Sequence, residues 1–239
     1  MFYSYDTQSS KERAMSTTTA TGQLNRPDMT IVTVIHQALR VDAGRLAAAV
    51  AAVGPGDRPG RVAGIAAFYG QYRDQLALHH RHEDELFFPA LAARVGADAM
   101  HLSELTAQHE ALDAALAAVS DRLGALADPA GDFAAGQAAA ASALSAMTGL
   151  LTAHLTLEEQ YALPLHESQI PVAEHKRLEA RARKDTPRAL ARFLIPWLIA
   201  HASPGQRAAL FRSAPPFRLL YRLNLRYYRR FDQALARTA

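Results

Sequence analysis

Two stretches of the sequence decide the fold: residues 79–89 read HHRHEDELFFP and residues 154–164 read HLTLEEQYALP. Each stretch has a histidine, a glutamate four residues later, and a proline six residues after that glutamate. A spacing of four residues places the histidine and the glutamate on one face of a helix. The doubled pattern therefore predicts two helices that each present one imidazole and one carboxylate to the same side.

Each stretch also has a matching histidine in the helix predicted before it. His36 lies 43 residues before His79, and His109 lies 45 residues before His154. The unit His…His-x-x-x-Glu thus occurs twice at nearly equal spacing. Chance rarely reproduces both the motif and the long spacing, so the repeat indicates one site built from two halves.

The residue types in this repeat point to a pair of metal ions. Unpaired carboxylates among apolar helix faces would cost several kcal/mol, and bound cations remove that cost. Imidazoles and carboxylates together suit iron first and manganese next. Two carboxylates that bridge two ions would hold them about 3.5–4 Å apart. The predicted ligands are His36, His79, Glu83, His109, His154 and Glu158.

Three neighbours of these residues are further candidates. Glu159 follows Glu158 and is the substitute for it as the bridging carboxylate. His80 follows His79 and is either an extra ligand or an outer residue of the site. Tyr72 precedes His79 by seven residues, about two helical turns, so it is expected on the same face and within reach of the metals.

The hydrophobic pattern predicts an all-α protein. Apolar residues at i, i+3 and i+4 spacing indicate helices at about 28–53, 59–95, 98–126 and 133–165. Four long helices with short connections predict an up-down-up-down four-helix bundle over residues 28–169. Residues 1–27 are expected to be a disordered leader, with Met15 as an alternative start, and residues 170–239 a basic helical C-terminal extension.

Composition excludes several classes of site. The chain has no cysteine, so disulfides, zinc ribbons and thiol nucleophiles are excluded. No run of eighteen apolar residues predicts a membrane span, and no signal sequence is recognisable, so a cytoplasmic location is expected. Residues 1–169 carry a net charge of −8 and residues 170–239 a net charge of +11, which indicates two modules.

The last predicted helix begins at about Phe217 and alternates arginine with aromatic and aliphatic residues. Binding to nucleic acid or to a membrane surface is one interpretation of this pattern. No recognised nucleic-acid motif supports it, and arginine stems often cover a protein's own apolar surface. Packing against the bundle is therefore the favoured interpretation.

At these motifs the sequence resembles the hemerythrin HHE cation-binding family, over about residues 28–165. The resemblance implies an oxo- or hydroxo-bridged non-haem di-iron centre that binds O2, peroxide or NO. Oxygen-carrying members have a second histidine where this chain has Asp113, and an aspartate five residues after the position of His154, where it has Glu159. The pattern is closer to the bacterial hemerythrin-like branch.

The resulting hypothesis is a di-iron protein for oxidative or nitrosative stress or sensing. His36 and His79 would bind one iron, and His109 and His154 would bind the other. Glu83 and Glu158 would bridge both irons. Two alternatives use the same irons: peroxidase or catalase turnover, and an iron-dependent regulatory interaction module. Ferritin-like Glu-x-x-His and zincin His-Glu-x-x-His motifs are absent. No motif predicts a pocket for a large organic substrate.

Overall fold

The computed structural model describes residues 26–56, 58–213 and 216–236. Within these ranges the protein is helical and has no β-strand, which confirms the predicted all-α class. The predicted leader, residues 1–27, lies outside the described residues except for Arg26 and Pro27.

The helices of the first two thirds agree with the expected segments to within a few residues. They are α1 (Thr30–Ala51), α2 (Arg58–His82), α3 (Phe88–Val95), α4 (Leu102–Ala127), α5 (Phe133–Leu157) and α6 (Leu163–Gln169). The long helices α1, α2, α4 and α5 form a closed ring of neighbours, because α1 packs on α2 and α5 while α4 packs on the same two helices. Buried leucine, valine and alanine side chains fill the space between them.

Two helices predicted as continuous are interrupted by a turn of π-helix. These turns span Glu83–Phe87 and Glu158–Ala162, and each begins at a glutamate of the repeat. The cause is the proline six residues after each glutamate, Pro89 or Pro164. A proline inside an α-helix has no N–H to donate and collides with the carbonyl four residues before it, and a π turn relieves both problems. The prolines were visible in the sequence, but their effect was not predicted.

The C-terminal extension is also helical. Its helices are α7 (Val172–Asp185), α8 (Arg188–His201), α9 (Pro204–Ser213) and α10 (Pro216–Ala236). Helices α8 and α10 pack against each other, and they also pack on α1 and α2, respectively. Gly64 on α2 permits the close approach of α10, because a Cβ added there would lie 3.0 Å from the Cβ of Ala234.

A buried carboxylate ties the extension to α1. Asp42 is fully buried and accepts hydrogen bonds from Trp197 Nε1 at 2.6 Å and from Arg45 at 2.7 Å. His201 Nε2 lies 3.1 Å from the same carboxylate oxygen as Trp197. Burial opposes the charge, but the contacts with His201, Trp197 and Arg45 outweigh it and lower the pKa of Asp42. We call these four residues the Asp42 anchor.

The helix α10 has one packed face and one exposed face. Tyr228, Phe231 and Leu235 are buried against the core, which is the packing favoured from the sequence. Leu219 and Leu223 remain more than half exposed. The charge split does not account for this packing, because the ion pairs Arg45–Asp232 and Arg94–Glu174 join bases of the first module to acids of the second.

One helical segment, 133–169, is long and apolar enough to cross a membrane by length and composition alone. This is weak evidence for a span, because the core helix of a bundle has the same composition. The segment packs along α1 and α4 and carries the buried side chains of His154 and Glu158. About 33% of its most apolar window is buried by this packing.

Candidate metal centre

The structure brings the six predicted ligand side chains into one buried cluster between α1, α2, α4 and α5. Their potential ligand atoms form two groups, and within each group these atoms lie within 4.8 Å of one another. The first group is His36, His79, Glu83 and Glu158, and the second is Glu83, His109, His154 and Glu158. Both groups contain the same two glutamates, which is the pairing expected from the repeat. We call this set of six side chains the six-residue cluster.

The two glutamates lie between the pairs of histidines. Glu83 Oε1 is 3.1 Å from His79 Nε2, and Glu83 Oε2 is 3.7 Å from His109 Nε2. Glu158 Oε2 is 3.3 Å from His36 Nε2 and 3.6 Å from His154 Nε2. Each carboxylate therefore approaches one histidine of each pair, as a carboxylate shared by two ions would have to do.

The inward atoms of the cluster lack hydrogen-bond partners among the described residues. These buried atoms are Nε2 of all four histidines, Oε2 of Glu83 and both side-chain oxygens of Glu158. Buried polar atoms are nearly always satisfied in folded proteins, and leaving one unpaired costs about 1–3 kcal/mol. Unpaired acceptor atoms that converge on one place fit a pair of bound cations, because cations would satisfy all of them together.

The outer nitrogens of three histidines, by contrast, have partners. His36 Nδ1 is 2.9 Å from Glu159, and His109 Nδ1 is 3.0 Å from Asp84. His154 Nδ1 is 3.2 Å from Gln108 Oε1. A hydrogen bond to the outer nitrogen fixes the ring orientation and the tautomer of a metal-binding histidine. These rings are therefore held with Nε2 facing the cluster.

Two of these outer partners are equivalent residues of the repeat. Asp84 follows Glu83, and Glu159 follows Glu158. Each contacts the upstream histidine of the opposite repeat. Asp84 of the first repeat pairs with His109 of the second, and Glu159 of the second repeat pairs with His36 of the first. The role of Asp84 was missed from the sequence, although the acidic residue after both glutamates was a visible signal.

Side-chain exposure distinguishes Glu158 from Glu159, the two candidates for the second bridging carboxylate. Glu158 has 0% side-chain exposure and lies inside the cluster, whereas Glu159 is 41% exposed. Glu159 also accepts hydrogen bonds from Arg40 at 2.6 and 2.9 Å. Glu159 thus occupies the outer side of His36 rather than the substitute bridging position considered from the sequence.

His80 is buried beside the cluster. Its ring stacks on that of His109 at a centroid distance of 4.0 Å, and neither ring nitrogen has a partner among the described residues. Its ligand atoms also group with those of His109 and His154. Burial, followed by the neighbouring imidazoles, strongly lowers the pKa of His80, so the ring is neutral and can act as a ligand. An extra-ligand role for His80 stays a prediction.

Tyr72 is fully buried, and its hydroxyl has a partner in the protein core. The hydroxyl donates to the carbonyl oxygen of Leu39 at 3.2 Å, and the ring stacks on Tyr69. A buried tyrosine whose hydroxyl is satisfied in this way contributes mainly to packing. Because this donor is already engaged, the structure offers no support for the predicted contact between Tyr72 and the metals.

The groups of the cluster ionise unequally in the absence of a cation. Burial opposes the charge of His36, but its contacts with Glu158 and Glu159 outweigh burial and raise the pKa of this histidine. Burial, then the charge of Glu158, raises the pKa of Glu83 well above its ordinary value. Burial opposes ionisation of Glu158 as well, but its interactions with His36 outweigh this effect and lower the pKa. Burial lowers the pKa of His79 and His154, so both rings are neutral near pH 7. Metals bind neutral imidazoles and ionised carboxylates, so a bound cation would compete with the protons that the raised pKa values of Glu83 and His36 favour.

A cavity adjoins the cluster on the side of the extension. It has a volume of about 290 Å³ and is lined by side chains that include His79 and Glu83. No motif in the sequence indicated this cavity. Part of the wall belongs to α7, α8 and α10, and the sequence gives no sign of where those helices pack.

Comparison with known proteins agrees with this geometry. Residues 29–166, more than half of the chain, match the hemerythrin HHE cation-binding domain. No curated protein and no solved structure gives a significant match. The matched residues contain every member of the six-residue cluster. The chain therefore belongs to the hemerythrin HHE cation-binding domain family.

Proposed function

We propose that the protein is a hemerythrin-like non-haem di-iron protein that binds or reacts with O2, peroxide or NO. The observation that carries the proposal is the pair of overlapping ligand groups that share Glu83 and Glu158. Their inward atoms are buried and unpaired among the described residues. A single ion or a purely structural hydrogen-bond network would not require two groups with shared carboxylates.

Each ion would have four protein ligands in this arrangement. His36 and His79 would hold one ion, His109 and His154 would hold the other, and both glutamates would contact both ions. Iron commonly accepts six ligands, so a solvent-derived bridge and a small molecule can complete its coordination. A pair of irons supplies redox chemistry and Lewis acidity for O2, peroxide or NO. Manganese or a mixed pair is the less favoured occupant.

The protein's own part is to orient the ligands and to exclude water. Asp84, Glu159 and Gln108 hold three imidazoles with Nε2 inward. Leu76 and Leu151, which precede His79 and His154 by three residues on α2 and α5, are fully buried. The closed ring of helix contacts supports an up-down-up-down bundle, in which ligands on facing helices project to a common point.

Metal analysis and an optical spectrum of the purified protein test the proposal. We expect about two irons per chain and an absorption spectrum that changes when peroxide is added. Glu83→Ala should lower the metal content, and Glu110→Ala is its matched control, because Glu110 is an exposed acid on α4 next to His109. Following dissolved oxygen during peroxide addition separates turnover from binding. Protein that takes up no iron, manganese or other transition metal would refute the assignment.

A further inference from the structure

The cavity beside the six-residue cluster is a feature that the proposed function leaves unexplained. It lies between the bundle and the C-terminal extension, with Ile35 of α1, Leu78 of α2 and Leu194 of α8 in its wall. Exposed residues at its edge, Asp28 and Leu220, show that it reaches the protein surface. An opening and an apolar wall are the usual features of a small-molecule site.

The volume is much larger than a diatomic ligand needs. An apolar cavity of about 150 Å³ binds benzene, and sites for organic ligands begin near 300 Å³. At about 290 Å³ the cavity can hold an organic molecule about the size of two or three fused rings. Passage of O2, peroxide or NO alone would require far less space.

Several residues of the wall have a buried polar atom without a partner among the described residues, and Gln75 is the one that is neither a histidine nor a member of the cluster. Gln75 is buried, and its Nε2 donates to the carbonyl oxygen of Leu190 at 3.2 Å. That contact fixes the amide orientation, because a carbonyl oxygen can only accept. Gln75 Oε1 is therefore the free end of the amide, and it has no hydrogen-bond partner among the described residues. A ligand with one N–H or O–H group would satisfy it.

The position of the cavity connects it to the metal centre. Gln75 precedes His79 by one turn of α2, and both side chains line the cavity together with Glu83. A molecule bound by Gln75 would thus lie against the side of the cluster that carries His79. The extension contributes the opposite wall through Ala191, Leu194 and Leu198 of α8.

We propose that this cavity binds an apolar organic molecule through its hydrocarbon surface and one hydrogen-bond donor, which is directed to Gln75 Oε1. The extension then has a defined task, because it encloses a ligand site that the four helices alone leave open. This inference concerns binding only and does not depend on which metal occupies the centre.

Binding can be measured on the full chain with 1-aminoanthracene, a fluorescent apolar amine. We expect saturable binding with an increase in fluorescence, and displacement by 1-naphthol. Metal content is measured on the same samples. A protein that binds the amine but no metal would refute only the proposed function, and the reverse result would refute only the ligand site. No saturable binding by the full chain overturns the ligand site.

Filling the cavity tests where the probe binds. Ala191→Trp places an indole in the wall, so we expect binding of 1-aminoanthracene to weaken at least about tenfold, with unchanged metal content. Ala200→Trp is the matched control, because Ala200 lies exposed on the same helix. Ala182→Phe, from α7, repeats the test should the first variant not fold. Equal binding by the filled and control variants would place the probe elsewhere and overturn the proposal.

A second variant tests the hydrogen bond between the ligand's donor group and Gln75 Oε1. Gln75→Leu removes the acceptor while keeping an apolar wall, and a neutral hydrogen bond contributes about 0.5–1.5 kcal/mol. We expect the wild type to prefer 1-naphthol over naphthalene by about fivefold in displacement, and Gln75→Leu to lose that preference. An unchanged preference would show that Gln75 does not receive the donor and would overturn that part of the proposal.

Discussion

Two buried polar assemblies of the protein, the Asp42 anchor and the six-residue cluster, differ in one respect. In the Asp42 anchor, both carboxylate oxygens face donors: Arg45 on one oxygen, Trp197 and His201 on the other. In the six-residue cluster, Glu158 is just as buried, yet neither of its oxygens has a hydrogen-bond partner in the part of the chain that the structure describes. Burial and residue type are alike, and only the satisfaction of the acceptors differs.

This difference separates a structural polar group from a ligand site. A buried carboxylate with donors on both oxygens is complete, and it fixes how two parts of a chain pack. A buried carboxylate whose oxygens lack such donors is incomplete until a cation binds. The anchor therefore holds the extension to α1, whereas the cluster holds something that the chain does not supply.

The largest expected effect is on metal content. Glu158→Ala should lower it from about two ions per chain to below one, because the carboxylate faces both ligand groups. Asp42→Ala, at an equally buried acid, should leave metal content unchanged. Inductively coupled plasma mass spectrometry on both variants gives the result. Metal retained by Glu158→Ala would contradict the shared-carboxylate arrangement.

The free energy of unfolding, unlike the metal content, is expected to respond to Asp42→Ala. Asp42→Ala leaves Arg45 and the Trp197 N–H without their buried partner, and breaking such a pair costs about 3–5 kcal/mol. Denaturant unfolding of the metal-loaded protein measures the loss. Asp232→Ala is the control, because Asp232 pairs with the same Arg45 at a more exposed site, where the loss should be about 0–1 kcal/mol.

The anchor should also respond to acid. The folded protein lowers the pKa of Asp42, so its stabilisation is present above the ordinary pKa of 3.8. It is lost as the pH falls through the still lower pKa of the folded state. The stability difference between wild type and Asp42→Ala should therefore shrink below about pH 4. A difference that does not change with pH would mean that the ionised carboxylate is not the stabilising group.

A smaller effect on metal affinity is expected when the residues that orient the histidines are changed. Glu159→Ala removes the partner of His36 Nδ1 but no inward atom. Loss of such outer contacts typically lowers metal affinity about 10- to 100-fold. A competition titration with a chelator measures this change, and Asp84→Ala should give a similar change through His109. Loss of a full equivalent of metal in Glu159→Ala would instead make Glu159 a direct ligand.

The smallest expected effect is that of replacing Tyr72, and it concerns the free energy of unfolding. Tyr72→Phe removes a single buried hydrogen bond to Leu39, so the free energy of unfolding should fall by about 1 kcal/mol. The optical spectrum and the peroxide kinetics of the iron-loaded protein should not change. Altered kinetics at normal stability would restore the contact with the metals that the sequence suggested.

Most of the site followed from the repeat, and most of its surroundings did not. The spacing from His79 to Glu83 and from His154 to Glu158 is local, and a helix converts it directly into a shared face. Asp84, Gln108 and the Asp42 anchor depend on which helices meet. No local spacing encodes those contacts. The structure tests neither the cytoplasmic location nor the division into domains at residue 170, so both stay predictions.

The sequence by itself determined the helical class, the family and the six side chains that converge at the centre. Helical periodicity and a duplicated motif carry that information along the chain. Only the tertiary structure decided that Glu158 rather than Glu159 faces inward and that Asp42 accepts a hydrogen bond from Trp197 of a distant helix. It also decided that a cavity opens beside His79. These outcomes depend on the relative rotation and packing of separate helices, which short-range spacing does not specify.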